Sequence, residues 1–372
     1  MAFHAPLLER IPQDIAAVSD YLPYARHRLD DNAWAYLHSG SADELTFRRN
    51  REDFDQLRLN ARVLGQVAGG HTRLQLFGHT WEHPVFLAPV AHQGLFHPEG
   101  ELATILGAGA LQAGMTVSTL ASRSLEDIAA QAEIPLWFQL YIQPDRGFTR
   151  QLVQRAEAAG YQALVVTVDA PIFGLRNREQ RAGFHLPTGV EPVNLRGMVP
   201  PPPPPLAPGQ SVVFDGIMAS APTWDDIVWL KSLTRLPLIL KGITHPADAR
   251  QAAELGADGL IVSNHGGRSL DTLPSSIAAL PGIVHALEGR LPVLLDSGIR
   301  RGSDIFKALA LGASAVLVGR PWVYALAAAG PLGVAHCLKL LREELEVTMA
   351  LCGCRDLASI SPDLLFQSNF PR

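Results

Sequence analysis

The residues best suited to chemistry lie in one short stretch, residues 263–268, which reads SNHGGR. It follows an apolar run at 260–262 that is typical of a buried strand. The imidazole of His265 titrates near neutral pH and can act as a base, and the guanidinium of Arg268 can bind a carboxylate through two hydrogen bonds. This pair favours a site that binds an anionic substrate and removes a proton from it. The alternative is an ordinary turn, and the ends of the other strands decide between the two.

Eight short apolar runs are predicted to be strands, and helical patterns lie between them. The runs lack the strict alternation of half-exposed strands, as expected for strands that are covered on both faces. After the first run, for example, Leu102, Ile105 and Leu106 have the spacing of one helix face. Repeated strand–helix units of this kind predict an α/β protein with a closed (β/α)8 TIM barrel. The runs are 85–88, 115–118, 136–140, 163–168, 236–240, 259–262, 291–295 and 315–318.

An open, doubly wound sheet is the alternative fold, and the nucleotide-binding motifs typical of it are missing. The glycines Gly107 and Gly109 lie within a helical pattern and lack the third glycine of a dinucleotide-binding turn. No phosphate-binding loop of the Walker type occurs in the sequence either. These observations favour the barrel.

The ends of the last two predicted strands indicate a phosphate site. Active sites of TIM barrels form at the carboxyl ends of the strands, and the loops after strands seven and eight often bind phosphate. Gly298 and Gly319 allow backbone amides to approach an anion, and Arg300 and Arg320 supply positive charge. The alternative is that these are ordinary turn glycines and solvated arginines.

Composition excludes several classes of function. The 372 residues carry a net charge of −5 without a long basic run, so we expect no nucleic-acid partner. We find no signal peptide at the N-terminus and no apolar run long enough for a membrane span. The three cysteines do not suggest a disulfide framework, and Cys352 and Cys354 lack the spacing of a metal site, so no metal is predicted. We therefore expect a cytoplasmic protein.

Two regions lie outside the eight units of one overall domain. Residues 1–80 are predicted to be a helical extension with a short hairpin that plugs or flanks the barrel at 81–372. Residues 177–222 are a loop insertion after the fourth strand, and they include six consecutive prolines, Pro200 to Pro205. Such a loop can be a lid, a contact for a partner or membrane, or a mobile surface segment, and the last reading is favoured on general grounds.

The motifs, taken together, resemble a known family. SNHGGR with Leu270 and Asp271, and the stretches APVA, HPEGE, FQLY, TVDAP, LKG and DSGIRRG, are similar to the FMN-dependent L-2-hydroxy acid oxidases and dehydrogenases. Glycolate oxidase, lactate oxidase and mandelate dehydrogenase are members, and the likeness extends from about residue 14 to 360. It implies bound FMN and oxidation of an (S)-2-hydroxy acid to the 2-oxo acid. Reduced flavin would be reoxidised by O2 to give H2O2 or, alternatively, by a quinone or other acceptor. A homotetramer is also implied, and the sequence itself leads us to expect no membrane contact.

The resemblance assigns roles to individual residues. It makes His265 the base and Asp169 its partner, with Tyr36 and Tyr141 completing the catalytic set. The substrate contacts that it implies are Arg268, Arg176, Tyr36, Tyr141, Leu120 and His92. The cofactor contacts that it implies are Ala88, Pro89, Val90, Ala91, Ser118, Gln139, Thr167, Lys241, Ser263, Asp296, Gly298, Arg300, Gly319 and Arg320. Lys241 is expected to stabilise negative charge on the reduced flavin.

Two positions depart from glycolate oxidase. Leu120 stands where that enzyme has a tryptophan, and His92 stands where it has a methionine. The smaller Leu120 predicts room for an acid bulkier than glycolate, and His92 adds polarity. Two rival functions stay open at this point: a flavin-free barrel lyase or isomerase that uses Lys241 as a Schiff base, and a non-catalytic binding protein.

Overall fold

Eight parallel strands form a closed barrel in a computed structural model, which describes residues 3–199 and 205–366. The order around the barrel is β10-β3-β4-β5-β6-β7-β8-β9, and β1 and β2 form a separate antiparallel hairpin. The strands are β1 Leu74–Leu76, β2 His79–Trp81, β3 Val85–Leu87, β4 Met115–Ser118, β5 Leu136–Leu140, β6 Ala163–Thr167, β7 Leu238–Ile243, β8 Gly259–Val262, β9 Val293–Leu295 and β10 Ala315–Val318. The predicted TIM barrel is confirmed, and each of the eight apolar runs contains or overlaps one barrel strand.

Helices surround the barrel and precede it. They are α1 Tyr21–Arg28, α2 Asp31–Leu37, α3 Leu45–Gln56, α4 Glu101–Ala110, α5 Leu125–Ala130, α6 Arg146–Ala158, α7 Asn177–Arg181, α8 Trp224–Leu233, α9 Pro246–Glu254, α10 Ser276–Leu287, α11 Gly302–Ala310 and α12 Arg320–Leu351. Short turns of 3-10 or π-helix occur at Val18–Asp20, Gln93–Leu95, Val193–Leu195, Val212–Gly216, Ile217–Ser220, Leu357–Ser359 and Pro362–Leu364.

Strand β7 extends three residues beyond its predicted end. Its register with β8 shifts between Lys241 and Ile243, and Gly242 there has a positive φ of 111°. A Cβ at Gly242 would lie 2.5 Å from the Cβ of Asp169. The irregularity therefore lets β7 pass close to Asp169, and glycine is required because a larger residue would displace that carboxylate.

The interior of the barrel is filled, so a ligand cavity cannot lie at its centre. The rings of Phe86 and Trp137 stack with centroids 4.6 Å apart, and Trp81 of the hairpin packs edge-on against Phe86 at 4.6 Å. Phe77 contacts Trp137 from the same side, at 5.6 Å. The hairpin thus closes the amino-terminal end of the barrel, which leaves the carboxyl end for a site.

Helix α12 is long and apolar enough to meet the length and composition criterion for a membrane span. However, Ala329 and Gly330 have non-helical backbone angles, so the element consists of two helices joined at a kink before Pro331. It packs against α1, α4 and α11, and two thirds of its most apolar window is buried. These contacts make α12 a helix packed against the other helices around the barrel.

The insertion at 177–222 contributes to the barrel mouth. Its first segment contains α7, and Glu179, Phe184 and Leu186 from this segment line the cavity described below. That segment is therefore not a detached surface loop. Further along, Val212, Phe214 and Ile217 are exposed. Pro205 is described, whereas the other prolines of the predicted polyproline run lie outside the described residues.

Candidate active site

A cavity of about 700 Å³ opens at the carboxyl end of the barrel. This volume lies in the range of small-molecule sites, roughly 300–1,000 Å³. All of the site residues predicted from the sequence line it except Asp169 and Ser263, which lie behind its wall. The predicted residues that line it are Tyr36, Ala88, Pro89, Val90, Ala91, His92, Ser118, Leu120, Gln139, Tyr141, Thr167, Arg176, Lys241, His265, Arg268, Asp296, Gly298, Arg300, Gly319 and Arg320.

His265 is held by a buried carboxylate. Its Nδ1 lies 2.9 Å from Oδ1 of Asp169, whose side chain is only 9% exposed. Burial opposes ionisation of Asp169, but the nearby His265 and Lys241 outweigh it and lower the pKa of the carboxyl. We assign the proton to Nδ1 because an ionised carboxylate can only accept. The Nε2 lone pair then points to the cavity, where it can accept a proton.

The turn after β8 explains the two glycines of the SNHGGR stretch. His265, Gly266 and Gly267 all have positive φ angles, of 59°, 64° and 73°. A Cβ at Gly266 would lie 2.6 Å from Nη1 of Arg320, and one at Gly267 would lie 2.6 Å from the backbone nitrogen of Phe47. Only glycine fits both positions, and the tight turn brings the imidazole back over the cavity.

Lys241 is a buried cation with a carboxylate partner. Its Nζ lies 2.8 Å from Oδ2 of Asp296 and donates to Oγ of Ser263 at 2.9 Å. Burial alone would lower the pKa of Lys241, but Asp296 and Asp169 outweigh it and raise the pKa. Lys241 therefore stays protonated, which does not suit a Schiff base, for which a neutral amine is needed.

Ser263 links two of the predicted site residues. Its side chain is completely buried, and Oγ accepts the backbone N–H of His265 at 3.0 Å as well as the hydrogen bond from Lys241. The hydroxyl thus joins Lys241 to the base of the histidine turn. Its predicted contact with the cofactor stays a prediction.

A carboxylate missed in the sequence analysis, Glu179, lies between the two predicted substrate arginines. Its Oε1 accepts a hydrogen bond from Nη2 of Arg268 at 2.7 Å, and its Oε2 lies 3.6 Å from Nη1 of Arg176. The guanidinium of Arg268 also lies over the ring of Tyr36, 4.9 Å from the centroid. The available signal was the spacing of three residues between Arg176 and Glu179, which places both on one helix face.

Two phenols complete the polar side of the cavity. Burial raises the pKa of both Tyr36 and Tyr141, so both hydroxyls remain protonated and can donate hydrogen bonds. The ring of Tyr36 stacks on Phe184, with centroids 4.9 Å apart. The insertion therefore helps to fix the orientation of Tyr36.

Part of the cavity wall is apolar. Leu120, Phe184 and Leu186 line the cavity together with His92. Burial lowers the pKa of His92 to about 4, so its imidazole is neutral at pH 7. The Nδ1 atom of His92 is buried without a hydrogen-bond partner in the described part of the chain. This wall suits a short apolar substituent near one uncharged polar group.

The predicted phosphate end has two partly buried guanidinium groups. Arg300 donates to the carbonyl of Ile299 at 2.7 Å and forms no ion pair within residues 3–199 and 205–366. Arg320 donates to three backbone carbonyls, and burial lowers its pKa to about 9. Desolvating a cation without a carboxylate partner is unfavourable, and an anion in the cavity would offset that cost for these two arginines.

Glycines at this end have different roles. A Cβ at Gly319 would meet nothing nearer than the Cβ of Ala88 at 4.0 Å, so this position leaves space in the cavity. Gly298, by contrast, has a φ of 94°, and a Cβ there would overlap the carbonyl oxygen of Asn50. Its glycine is required for packing against α3 as well as for access by an anion.

These features fit FMN. The Nε2 atom of Gln139 is a buried donor without a partner among the described residues, and it is available to an acceptor on the ring system. Arg300, Arg320 and the space at Gly319 suit the phosphate, and Lys241 supplies the cation for the isoalloxazine. A model of the FMN-dependent dehydrogenase family matches residues 25–367. The chain belongs to this family.

Individual relatives of the FMN-dependent dehydrogenase family agree along nearly the whole chain. An L-lactate oxidase of Roseobacter sp. (strain GAI101) is 51% identical over 350 residues, covering 94% of this chain and 94% of that protein. Glycolate oxidase 3 of Arabidopsis thaliana is 42% identical, covering 94% of this chain and 95% of that protein. A structure of mandelate oxidase with benzoyl-formic acid has a TM-score of 0.85 and 40% identity, covering 94% and 98% of the two chains. The resemblance noted in the sequence is confirmed, and the cofactor is FMN.

Proposed function

We propose that this chain is an FMN-dependent oxidase that converts an (S)-2-hydroxy acid to the 2-oxo acid and reduces O2 to H2O2. The observation that carries the proposal is that His265, Lys241 and the arginines Arg176 and Arg268 face one cavity. Bound FMN supplies the acceptor for the electron pair that leaves the substrate. Relatives named as oxidases support O2 as the final acceptor.

The residues of the chain account for binding and proton transfer. Arg176 and Arg268 hold the substrate carboxylate, which fixes C2 and its hydroxyl relative to Nε2 of His265. His265 accepts a proton from the substrate, from either the carbon or the hydroxyl, and Asp169 stabilises the resulting imidazolium. Lys241 would hold a buried positive charge next to the cofactor and so stabilise the negative charge of its reduced form.

The substrate that we favour is L-lactate or a short aliphatic homologue. Relatives from three bacteria that are named L-lactate oxidase are 46–51% identical to this chain. The apolar wall formed by Leu120, Phe184 and Leu186 provides a surface for a methyl or short alkyl group. Glycolate has no alkyl group, so contact with these apolar residues does not strengthen its binding.

Anaerobic flavin bleaching tests the activity and the substrate class together. The yellow holoenzyme is mixed with glycolate, L-lactate, D-lactate, (S)-2-hydroxybutyrate or (S)-mandelate, and loss of flavin absorbance is followed. We expect the fastest bleaching with L-lactate or 2-hydroxybutyrate, and stoichiometric H2O2 once air is admitted. An enzyme that stays reduced in air but reacts with a quinone is instead the acceptor-linked dehydrogenase. A preparation that remains colourless with added FMN, or bleaches with none of the acids, contradicts the proposal.

Two further expectations accompany this proposal. The free cysteines Cys337, Cys352 and Cys354 are all buried, which suits the reducing cytoplasm. A homotetramer is expected from the family resemblance. Fractionation of the source cells and light scattering of the purified holoenzyme test these two expectations.

A further inference from the structure

Glu179 is a buried carboxylate in direct contact with the groups that bind the substrate. It is 8% exposed, lies on the short helix α7 and lines the cavity. Besides the contacts with Arg268 and Arg176, its Oε1 accepts from Oγ of Ser39 at 3.2 Å. Glu179 thus joins α7 to the residues after α2 and to the turn after β8, three parts of the chain that meet only at this mouth.

Glu179 is not the main anchor of Arg268. The guanidinium of Arg268 also donates to the carbonyl oxygen of Tyr36 at 2.6 Å and to Oγ of Ser39 at 3.1 Å. Nε of Arg176 is buried and has no partner in the described part of the chain. Both guanidinium groups keep donors available for a substrate, and Glu179 gives the two groups a shared contact and a negative charge.

The charges at this end of the cavity leave room for one carboxylate. Arg176 and Arg268 carry two positive charges and Glu179 one negative charge, while Lys241 is already paired with Asp296. The net charge of the cluster is therefore one positive, which a monocarboxylate neutralises. A second substrate carboxylate near Glu179 would be desolvated beside that negative charge, with both arginines already engaged by the first carboxylate.

We propose that Glu179 is a positioning and charge-selecting residue, which orients Arg176 and Arg268 and makes the site prefer monocarboxylates over dicarboxylates of similar size. This inference rests on the proposed function, since it assumes that the two arginines bind the substrate carboxylate. It assigns Glu179 no part in proton or electron transfer.

Binding of non-reacting ligands to the holoenzyme measures the preference for ligand charge without any contribution from turnover. The dissociation constants of pyruvate, a monoanion, and oxalate, a dianion of similar size, are measured by calorimetry and by the perturbation of the flavin spectrum. In Glu179→Gln, we expect the ratio of pyruvate to oxalate dissociation constants to shift by about tenfold in favour of oxalate. We also expect kcat for L-lactate to fall about tenfold with little increase in KM, because binding charge remains while alignment is lost.

Two variants make the test specific. Glu191→Gln removes the same charge at a half-exposed pair with Arg196, where the Glu191 side chain is 54% exposed, and should leave the ratio unchanged. Glu179→Asp keeps the charge and shortens the side chain, so it should retain discrimination against oxalate while lowering kcat. This variant keeps the test decisive if Glu179→Gln does not fold.

Three outcomes overturn the inference: an unchanged ratio in folded Glu179→Gln, an equal shift in Glu191→Gln, or lost discrimination in folded Glu179→Asp. Failure of the proposed function is a different result, because then no 2-hydroxy acid bleaches the wild-type flavin. Pyruvate and oxalate binding requires no turnover, so the two results are distinguishable.

Discussion

Asp169 and His265 form a partly buried pair, with 2.9 Å between Oδ1 and Nδ1, although the two residues follow different strands of the barrel, β6 and β8. The other oxygen of Asp169, Oδ2, is buried and has no hydrogen-bond partner in the described residues. His265 is thus the side chain to which Asp169 is hydrogen-bonded. Asp169 holds the imidazole in one tautomer and stabilises its cation. The lowered pKa of Asp169 keeps it ionised for that purpose.

The first prediction concerns this pair. Asp169→Asn should lower kcat with L-lactate by roughly 10²–10⁴-fold, because the amide neither fixes the tautomer nor stabilises the imidazolium. FMN should remain bound, so the yellow colour is the control for folding. Asp225→Asn, at an exposed position on α8, should leave kcat unchanged. Full activity in Asp169→Asn would show that His265 acts without its carboxylate.

The second prediction concerns the ion pair of Lys241 and Asp296. Lys241→Met leaves Asp296, whose side chain is 7% exposed, buried without its cation. We expect a loss of roughly 3–5 kcal/mol in the free energy of unfolding of the FMN-free protein, measured with urea. The double variant Lys241→Met, Asp296→Asn should recover much of this stability, because no buried charge is left unpaired. Its turnover should stay low, and restored turnover would contradict the role given to Lys241.

The third prediction concerns the phosphate end of the cavity. Arg300→Gln should raise the dissociation constant of FMN about tenfold to a hundredfold. This change corresponds to the loss of one or two hydrogen bonds to a charged group. Riboflavin, which lacks the phosphate, should bind wild type and variant alike. Arg301→Gln is the matched control, because that side chain is 49% exposed and pairs with Glu344. Equal weakening of FMN and riboflavin would place Arg300 away from the phosphate.

The fourth prediction is a pH dependence of stability. Glu101 is fully buried, and burial raises its pKa to about 6. The native state thus holds a proton that the unfolded chain has released between its usual pKa, about 4.5, and about 6. Over this window stability falls as pH rises, by about 2 kcal/mol in total for this group. Glu101→Gln removes the titration, so its melting temperature relative to wild type should rise from pH 4.5 to 6.5. A constant difference across this range would contradict the assignment.

Much of the site could be predicted because, in a TIM barrel, residues that follow different strands lie near one another at the same end of the barrel. Once eight runs are recognised as parallel barrel strands, the residues after each run must meet on one rim. His265 after β8 and Lys241 in β7 were found in this way, and the structure brings both to one cavity. The same argument placed Arg300 and Arg320 together, because β9 and β10 are neighbours.

The features that the sequence did not predict have a common cause, which is packing between segments that are distant along the chain. The hairpin was predicted, but its place at the closed end depends on Trp81 packing against the barrel interior. Phe47 and Asn50 of α3 line the cavity, and no local pattern marked them.

The sequence by itself predicted the barrel from local periodicity, and the family resemblance carried by its strand-end motifs implied the flavin and most of the residues that line the cavity. Only the tertiary structure decided which charges balance one another. Glu179 is 89 residues from Arg268 and 140 from Ser39 along the chain, and their contacts exist only once α7 closes over the barrel mouth. Charge balance depends on distances in space, and those distances are set by packing between segments that share no local pattern.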